Sequence, residues 1–263
     1  MIKEIMKQRS NMKKPLCSVV MPVYNAENFI DMALQSVLNQ TIKDIEIICV
    51  NDCSTDKSIE KIKHYQEQDD RIVLLQNNKN MKVSQTRNKG IGVAKSDWIA
   101  LIDSDDCWES NFLEKVIQRQ KETGGLFIST GCKFMNNDGK NLDSVFLAPK
   151  EITYKQLLKQ NKILCSTVFA KKELLQKHPF YADDAHEDYV CWLNILKEIK
   201  KSYTVDEPLM IYRLTKGSKS RNKFKAILMT YKTYKIHGIK FFGRLYYMFC
   251  NALNGIKKYS KIK

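Results

Sequence analysis

Between Cys17 and Glu122 the chain repeats one pattern four times: a short apolar run of β-forming residues, a polar turn, then a segment with helical spacing. "CSVVMPVYN" is an apolar run stopped by Pro22 and Asn25, which predicts a buried strand and a loop. Ile30, Ala33, Leu34, Val37 and Leu38 then recur on one helical face, predicting a helix from about Ala26 to Asn39. "IEIICV" is the second strand; "NDCSTDKS" follows as a polar turn offering caps to a helix with Ile59, Ile62 and Tyr65. "RIVLL" and "VSQTRNKGIGVAK" form the third round. "WIALI" opens the fourth, whose helix runs from about Asn111 to Glu122. Such alternation predicts a parallel, doubly wound α/β sheet with right-handed crossovers. The loops "PVYNAEN", "NDCSTD" and "DSDDCW" then converge on the carboxyl rim of the strands, where open α/β sheets bind ligands.

That rim is acidic. Asp103, Asp105 and Asp106 fall within four residues of a strand end, and like charges so close destabilise each other unless a positive group lies between them. Oxygen-only donors at this spacing suit a hard divalent cation, Mg²⁺ or Mn²⁺, that keeps waters and bridges to phosphate. Asp52 could accept hydrogen bonds from a base or ribose, or be a turn residue. Tyr24 could stack on a base, and Asn25 could cap a helix. "HEDY" puts Glu187 and Asp188 at a helix start; adjacent helical residues diverge by about 100°, so only one of the two can face a given reacting atom. "YRLTKGSKS" offers Arg213, Lys216 and Ser218 to phosphate oxygens. "GIGVAK" precedes a strand instead of following one, which excludes a dinucleotide fingerprint.

After Gly124-Gly125 the pattern changes. "LFISTGCKFM" with the turn "NNDGK" predicts a hairpin-like second half, "HEDYVCWLNILKEI" a helix, and "PLMIYRL" a strand. The eight cysteines lack metal spacing and sit mostly in apolar runs, so free, buried thiols in a reducing compartment are expected. The N-terminal "MIKEIMKQRSNMKK" has no signal-peptide core, and no window of about 20 apolar residues occurs, so a cytoplasmic chain without a membrane span is expected.

The net charge of +15 is uneven: residues 201–263 hold 15 Lys/Arg against Asp206 and Glu207. From Lys223 onward Lys/Arg alternate with Phe, Tyr, Leu and Met, a basic amphipathic helical tail suited to an anionic membrane surface. The same tail would serve a nucleic-acid binder, but the acidic rim then has no purpose, and no nucleic acid is expected as a partner. A nucleotidyltransferase shares the sheet-and-metal logic and stands as the alternative enzyme; a glycosidase needs a carboxyl pair flanking a bond, which no spacing here establishes.

The segments "SVVMPVYNAENFIDMALQSVLNQT", "EIICVNDCSTDKS", "RIVLLQNNKNMKVSQTRNKGI", "WIALIDSDDCW", "HEDYVCWLNILK" and "YRLTKGSKSRNK", in this order, resemble glycosyltransferase family 2, and among its members the bacterial enzymes of teichuronic acid, capsule and O-antigen synthesis. The resemblance implies a GT-A fold with a doubly wound, mostly parallel sheet, a small antiparallel acceptor-side part and a C-terminal helical tail. It implies an N-terminal extension at 1–15, a catalytic domain at 16–222 (nucleotide-sugar half 16–110, acceptor half 111–222) and the tail at 223–263. The activity implied is inverting, metal-dependent transfer from a nucleotide-diphospho-sugar, UDP by resemblance, to a lipid-linked cell-surface glycan. The implied location is the inner face of the cytoplasmic membrane. By position, Pro22, Tyr24 and Asp52 would meet the nucleobase, and Glu27 and Arg87 would support the nucleotide. Asp103 and Ser104 would reach the ribose side, and Asp105 with Asp103 would hold Mn²⁺ or Mg²⁺. Asp188 would be the base. Glu187, Arg213, Lys216 and Ser218 would lie on the acceptor or phosphate side. Two departures stand out: many relatives carry glycine where Met81 or Lys82 stands, and Thr215 occupies a position where some carry histidine.

Overall fold

Every residue of β1 (Cys17–Val23) and β2 (Ile45–Asn51) is buried, as expected of parallel strands covered on both faces. In the computed structural model, which describes residues 14–215 and 223–259, successive β1 residues feed different cores. Cys17, Val19, Met21 and Val23 join the cluster under α1 (Ile30–Leu38) and α4 (Phe112–Thr123), while Val20 joins the opposite cluster with Ile48, Val50 and Ile91. β1 pairs in parallel with β2 on one side and with β4 (Trp98–Leu101) on the other; β2 pairs in parallel with β3 (Ile72–Gln76). Strand order therefore reverses at β1, the topological switch point where such sheets bind ligands.

Between the strands lie α1, α2 (Ser58–Gln66) and α3 (Lys82–Val93). α3 crosses the sheet closely: a Cβ on Gly90 would stand 2.6 Å from Val20 Cγ1 and 3.1 Å from Val50 Cγ2. Packing, not phosphate binding, thus explains the glycine of "GIGVAK". α1 begins at Ile30, later than the Ala26 read from periodicity. Residues before it are held from the side: the Asn25, Ala26 and Glu27 amides donate to Ser54 Oγ, Ser58 Oγ and Asp56 Oδ2. Asp56 Oδ1 also accepts from the Ser58 amide at the start of α2.

The second half extends the same sheet: β5 (Cys107–Trp108), β6 (Phe127–Met135), β7 (Asn141–Phe146), β8 (Glu151–Thr153), β9 (Phe169–Lys171) and β10 (Lys201–Arg213). The order along the sheet is β3-β2-β1-β4-β9-β6-β10-β5, with β7 on β6 and β8 on β10. β6 and β7 form the expected hairpin, turned by Gly139 at φ 84°. β9 lies antiparallel to both β4 and β6 and joins the halves. The sheet is thus mixed, parallel in its first half. Four further helices, α5 (Tyr154–Lys159), α6 (Lys172–Lys177), α7 (Glu187–Ile199) and α8 (Lys223–Ile236), precede the last, α9 (Phe241–Tyr259). α8 docks against α5 and α7 through Tyr234, fully buried, whose hydroxyl donates to Leu158 O at 2.8 Å. All eight cysteines are free, and six are buried. Among the described residues no helix is long and apolar enough to cross a membrane.

Candidate active site

The loop after β4 is fixed from behind. Asp106 is buried; its Oδ2 accepts from Ser166 Oγ at 2.6 Å and its Oδ1 from the Arg213 amide at 3.1 Å. Ser166 Oγ also accepts the Asp103 amide at 3.0 Å, and the Trp108 indole donates to Ser166 O at 2.7 Å. Ser166, in a short 3₁₀ turn at Cys165–Thr167, thereby sets the direction of the Asp103–Asp106 turn. Sequence reading missed it, because a serine in a turn carries no pattern of its own. Burial holds the Asp106 carboxyl well above the usual carboxylate range, and the charges of Asp105 and Asp103 add to this.

Asp103 and Asp105 stand at the open side of that turn. Asp103 Oδ1 receives Arg87 NH2 at 2.6 Å, and Arg87 NH1 reaches Glu187 Oε1 at 3.1 Å. Arg87 is 3% exposed and lies over the Phe180 ring at 5.3 Å. It springs from α3 and bridges the β4 loop to the first turn of α7. Two further contacts bind α3 to the segment before α7: Ser84 Oγ donates to Asp183 Oδ1 at 2.8 Å, and Asn88 Nδ2 to Phe180 O at 2.7 Å. Glu187 and Asp188 are thereby split in environment. Glu187 is engaged by Arg87, whereas Asp188 Oδ1 accepts its neighbour's Tyr189 amide at 2.7 Å. Surrounding protein, then the Glu187 charge, push the Asp188 carboxyl up to about 6, against the lowering effect of His186 and Arg87.

Asp52 closes the other end of α3. It is buried at the end of β2, and its Oδ1 accepts from Asn77 Nδ2 at 2.8 Å and from the Met81 amide at 2.7 Å. Lys82, next in the chain, has φ 62°; this left-handed geometry favours glycine and accounts for the glycine that the resemblance expects here. Pro22 is buried at the end of β1, paired with Val50. Tyr24 is 55% exposed beside it. Glu27 Oε2 accepts the Lys57 amide at 3.1 Å. Ser104 lies half-buried in the acidic turn.

Arg213 is 3% exposed, and its guanidinium is committed inside the fold. Nε donates to Asp105 O at 3.0 Å, NH1 to Asn137 O at 3.2 Å, and NH2 approaches Met32 Sδ at 3.2 Å. Its charge acts on the aspartates from behind instead of facing the open rim. Lys216 and Ser218 lie outside the described residues.

A divalent cation fits the acidic turn. Burial and the Asp103 charge push the Asp105 carboxyl up to about 6, so this carboxyl lacks enough positive charge nearby, and both donors are hard oxygens. Among the described residues no three His, Cys, Asp or Glu side chains gather as a ready metal cage. Phosphate and water oxygens would complete the shell, as hard cations of this size commonly accept.

An open α/β sheet thus carries a carboxylate turn at its switch-point rim, bridged by Arg87 to the acidic start of α7, and the fold is GT-A, as in the solved transferases below. Residues 18–178 match Glycosyl transferase family 2. A Bacillus subtilis glycosyltransferase named for teichuronic acid biosynthesis, TuaG, is 35% identical over 93% of this chain and 98% of its own length. The Escherichia coli UDP-Glc:alpha-D-GlcNAc-diphosphoundecaprenol beta-1,3-glucosyltransferase WfaP is 36% identical over 93% and 95%. Among solved structures, S. aureus TarS in complex with UDP-GlcNAc superposes with a TM-score of 0.67 at 18% identity, covering 83% of this chain. The Pyrobaculum calidifontis mannosyltransferase PcManGT, in complex with GDP-Man and Mn²⁺, does so with a TM-score of 0.67 at 15% identity, covering 86%. This chain spans 65% of each of those solved chains. The chain belongs to glycosyltransferase family 2 and is a glycosyltransferase.

Proposed function

We propose that the enzyme transfers a sugar, with inversion, from a UDP-sugar to a hydroxyl of a lipid-linked cell-surface glycan, with Asp188 as the base. The observation that carries this reading is the split acid pair: Arg87 engages Glu187, while Asp188 is poised near 6 on the same helix start. A carboxylate in that range is mostly ionised at neutral pH, yet is basic enough to take a proton.

Tyr24 would stack on the uracil, with Pro22 beneath it, and Asp52 Oδ2 would accept from the base, since Oδ1 is occupied. Glu27 supports this loop by holding the start of α2. Asp103 and Asp105 would hold Mn²⁺ or Mg²⁺. When bound, the cation would supply positive charge to the diphosphate as its negative charge grows. Arg87 holds the Asp103 carboxylate in place through their 2.6 Å ion pair. Asp188 removes the acceptor hydroxyl proton as that oxygen attacks the anomeric carbon; the bond from that carbon to the diphosphate oxygen breaks on the opposite face, and the electron pair departs with the diphosphate. Alignment of donor and acceptor supplies much of the rate. The two relatives named for teichuronic acid and for a diphosphoundecaprenol acceptor support a lipid-linked glycan, and an enzyme using such an acceptor would work at the inner face of the cytoplasmic membrane. The family assignment favours this reading over nucleotidyl transfer.

The test is Asp188→Asn. Turnover should fall by about 10²–10⁴-fold, with UDP-sugar binding retained. A fully active variant would refute the base assignment.

A further inference from the structure

α9 is amphipathic in the inverted sense. Phe242, Leu245, Tyr246, Phe249 and Leu253 recur at helical spacing within an arc of about 100°, and all are exposed, Phe242 by 82% and Phe249 by 64%. Its other side faces the protein: Tyr247 lies 5.9 Å from the buried Tyr234 ring, and Arg244 stacks over Tyr231 at 4.8 Å. The outward stripe is about 16 Å long at 1.5 Å per residue. α8 adds Phe224, 82% exposed, with Ile227 and Leu228. From residue 223 to 259 the chain has Lys223, Lys225, Lys232, Lys235, Lys240, Arg244, Lys257 and Lys258 and no Asp or Glu. Arg244 and Lys232 are engaged within the protein, but an apolar stripe on a segment that otherwise carries lysines and no acid complements an anionic lipid surface, where apolar side chains enter the acyl boundary and cations meet headgroups.

We infer that the outward stripe of α9, with the first turns of α8, is the face on which the enzyme sits on an anionic bilayer, and that this seat is rigidly tied to the Asp188 helix. His186, the residue before α7, contacts Ala226 O through Nε2 at 3.3 Å, and Lys232 pairs with Asp184 at 2.8 Å. α8 thus abuts the start of α7, and a surface held by α8 and α9 holds the base at fixed depth and orientation. This rests on the reading of a lipid-linked acceptor, since only such an acceptor needs the base registered to a membrane.

The test uses the full chain and vesicles of phosphatidylglycerol with phosphatidylethanolamine, against vesicles of phosphatidylcholine alone. The wild type should co-sediment with the anionic vesicles, less so as salt rises. Phe242→Glu with Phe249→Glu should cut the bound fraction more than about tenfold, because charges repelled by the lipid replace two inserted rings. Melting temperature and hydrolysis of the nucleotide sugar should be unchanged, because both side chains face outward. Wild type that stays in the supernatant at low salt overturns the inference whatever the variant does. So does a wild-type dimer that the same substitutions make monomeric in light scattering while vesicle binding persists, since the stripe would then seat a second copy. Loss of nucleotide-sugar hydrolysis in the wild type would instead strike the proposed function.

Discussion

Replacing Arg87 by methionine isolates the link between the two acidic elements. The side chain is 4% exposed and gives one donor to Asp103 at 2.6 Å and one to Glu187 at 3.1 Å. Methionine keeps the apolar stem and removes the charged fork, together with its stacking over the Phe180 ring. Breaking a buried ion pair from one side costs about 3–5 kcal/mol, because a buried charge is left unpaired. The Glu187 side chain is 12% exposed but keeps a further interaction, and Asp103, at 33%, can recover hydration. The expected loss is therefore near the low end, about 3 kcal/mol at pH 7, read as a lower urea midpoint with an unchanged slope. Arg87 also lowers the Asp188 carboxyl, so the variant's Asp188 should titrate above its present position near 6. The loss should shrink toward pH 5, where Asp188, no longer lowered by Arg87, takes a proton. A loss under about 1 kcal/mol, or one equal at pH 5 and pH 8, would refute the view that Arg87 is the shared counter-charge of these acids.

Two further outcomes follow from the same geometry. Asp105 and Asp188 are both raised from 3.8 to about 6; between these values the native state binds more protons than the unfolded chain, so cation-free stability should fall as pH rises from about 4 to 6, while kcat/KM rises through about 6 as Asp188 ionises. Urea midpoints against pH and a pH–rate profile check the two signs; a flat profile in either denies the shift. Lys82→Gly, at φ 62°, should stabilise by about 0.5–1 kcal/mol, left-handed strain relieved being partly offset by the entropy of glycine; thermal melts showing destabilisation would contradict that backbone.

The first half of the fold was readable because buried parallel strands and amphipathic helices each leave their own period, and β1 to β4 with α1 to α4 all do so. β9 was not, since three residues, Phe169 to Lys171, are too few to show a period. β10 was legible only from Pro208 on; its first residues are interrupted by register shifts between Val205 and Met210 that break the alternation. The acidic turn announced itself by charge repulsion alone. Its fastening did not: Ser166 contacts Asp106 across 60 positions, and nothing local marks a serine for that partner. Arg213 was offered to the acceptor or phosphate side because it opens a basic loop; the structure shows three of its N–H groups turned to two backbone carbonyls and Met32 within the fold. The tail's amphipathic character was visible from Lys223 on as cations interleaved with aromatics, but which face of α9 points outward depends on Tyr234 and Tyr247, a packing fact with no sequence period.

The central claim is that Asp103 and Asp105 take a divalent cation together with the donor's diphosphate. Calorimetric titration of UDP-sugar into the enzyme with Mn²⁺, with chelator, and into Asp105→Ala with Mn²⁺ tests it most directly. The account predicts heat of binding in the first case and loss of more than about 1.4 kcal/mol of binding free energy, a factor of ten, in the other two. Equal affinity in all three would contradict it.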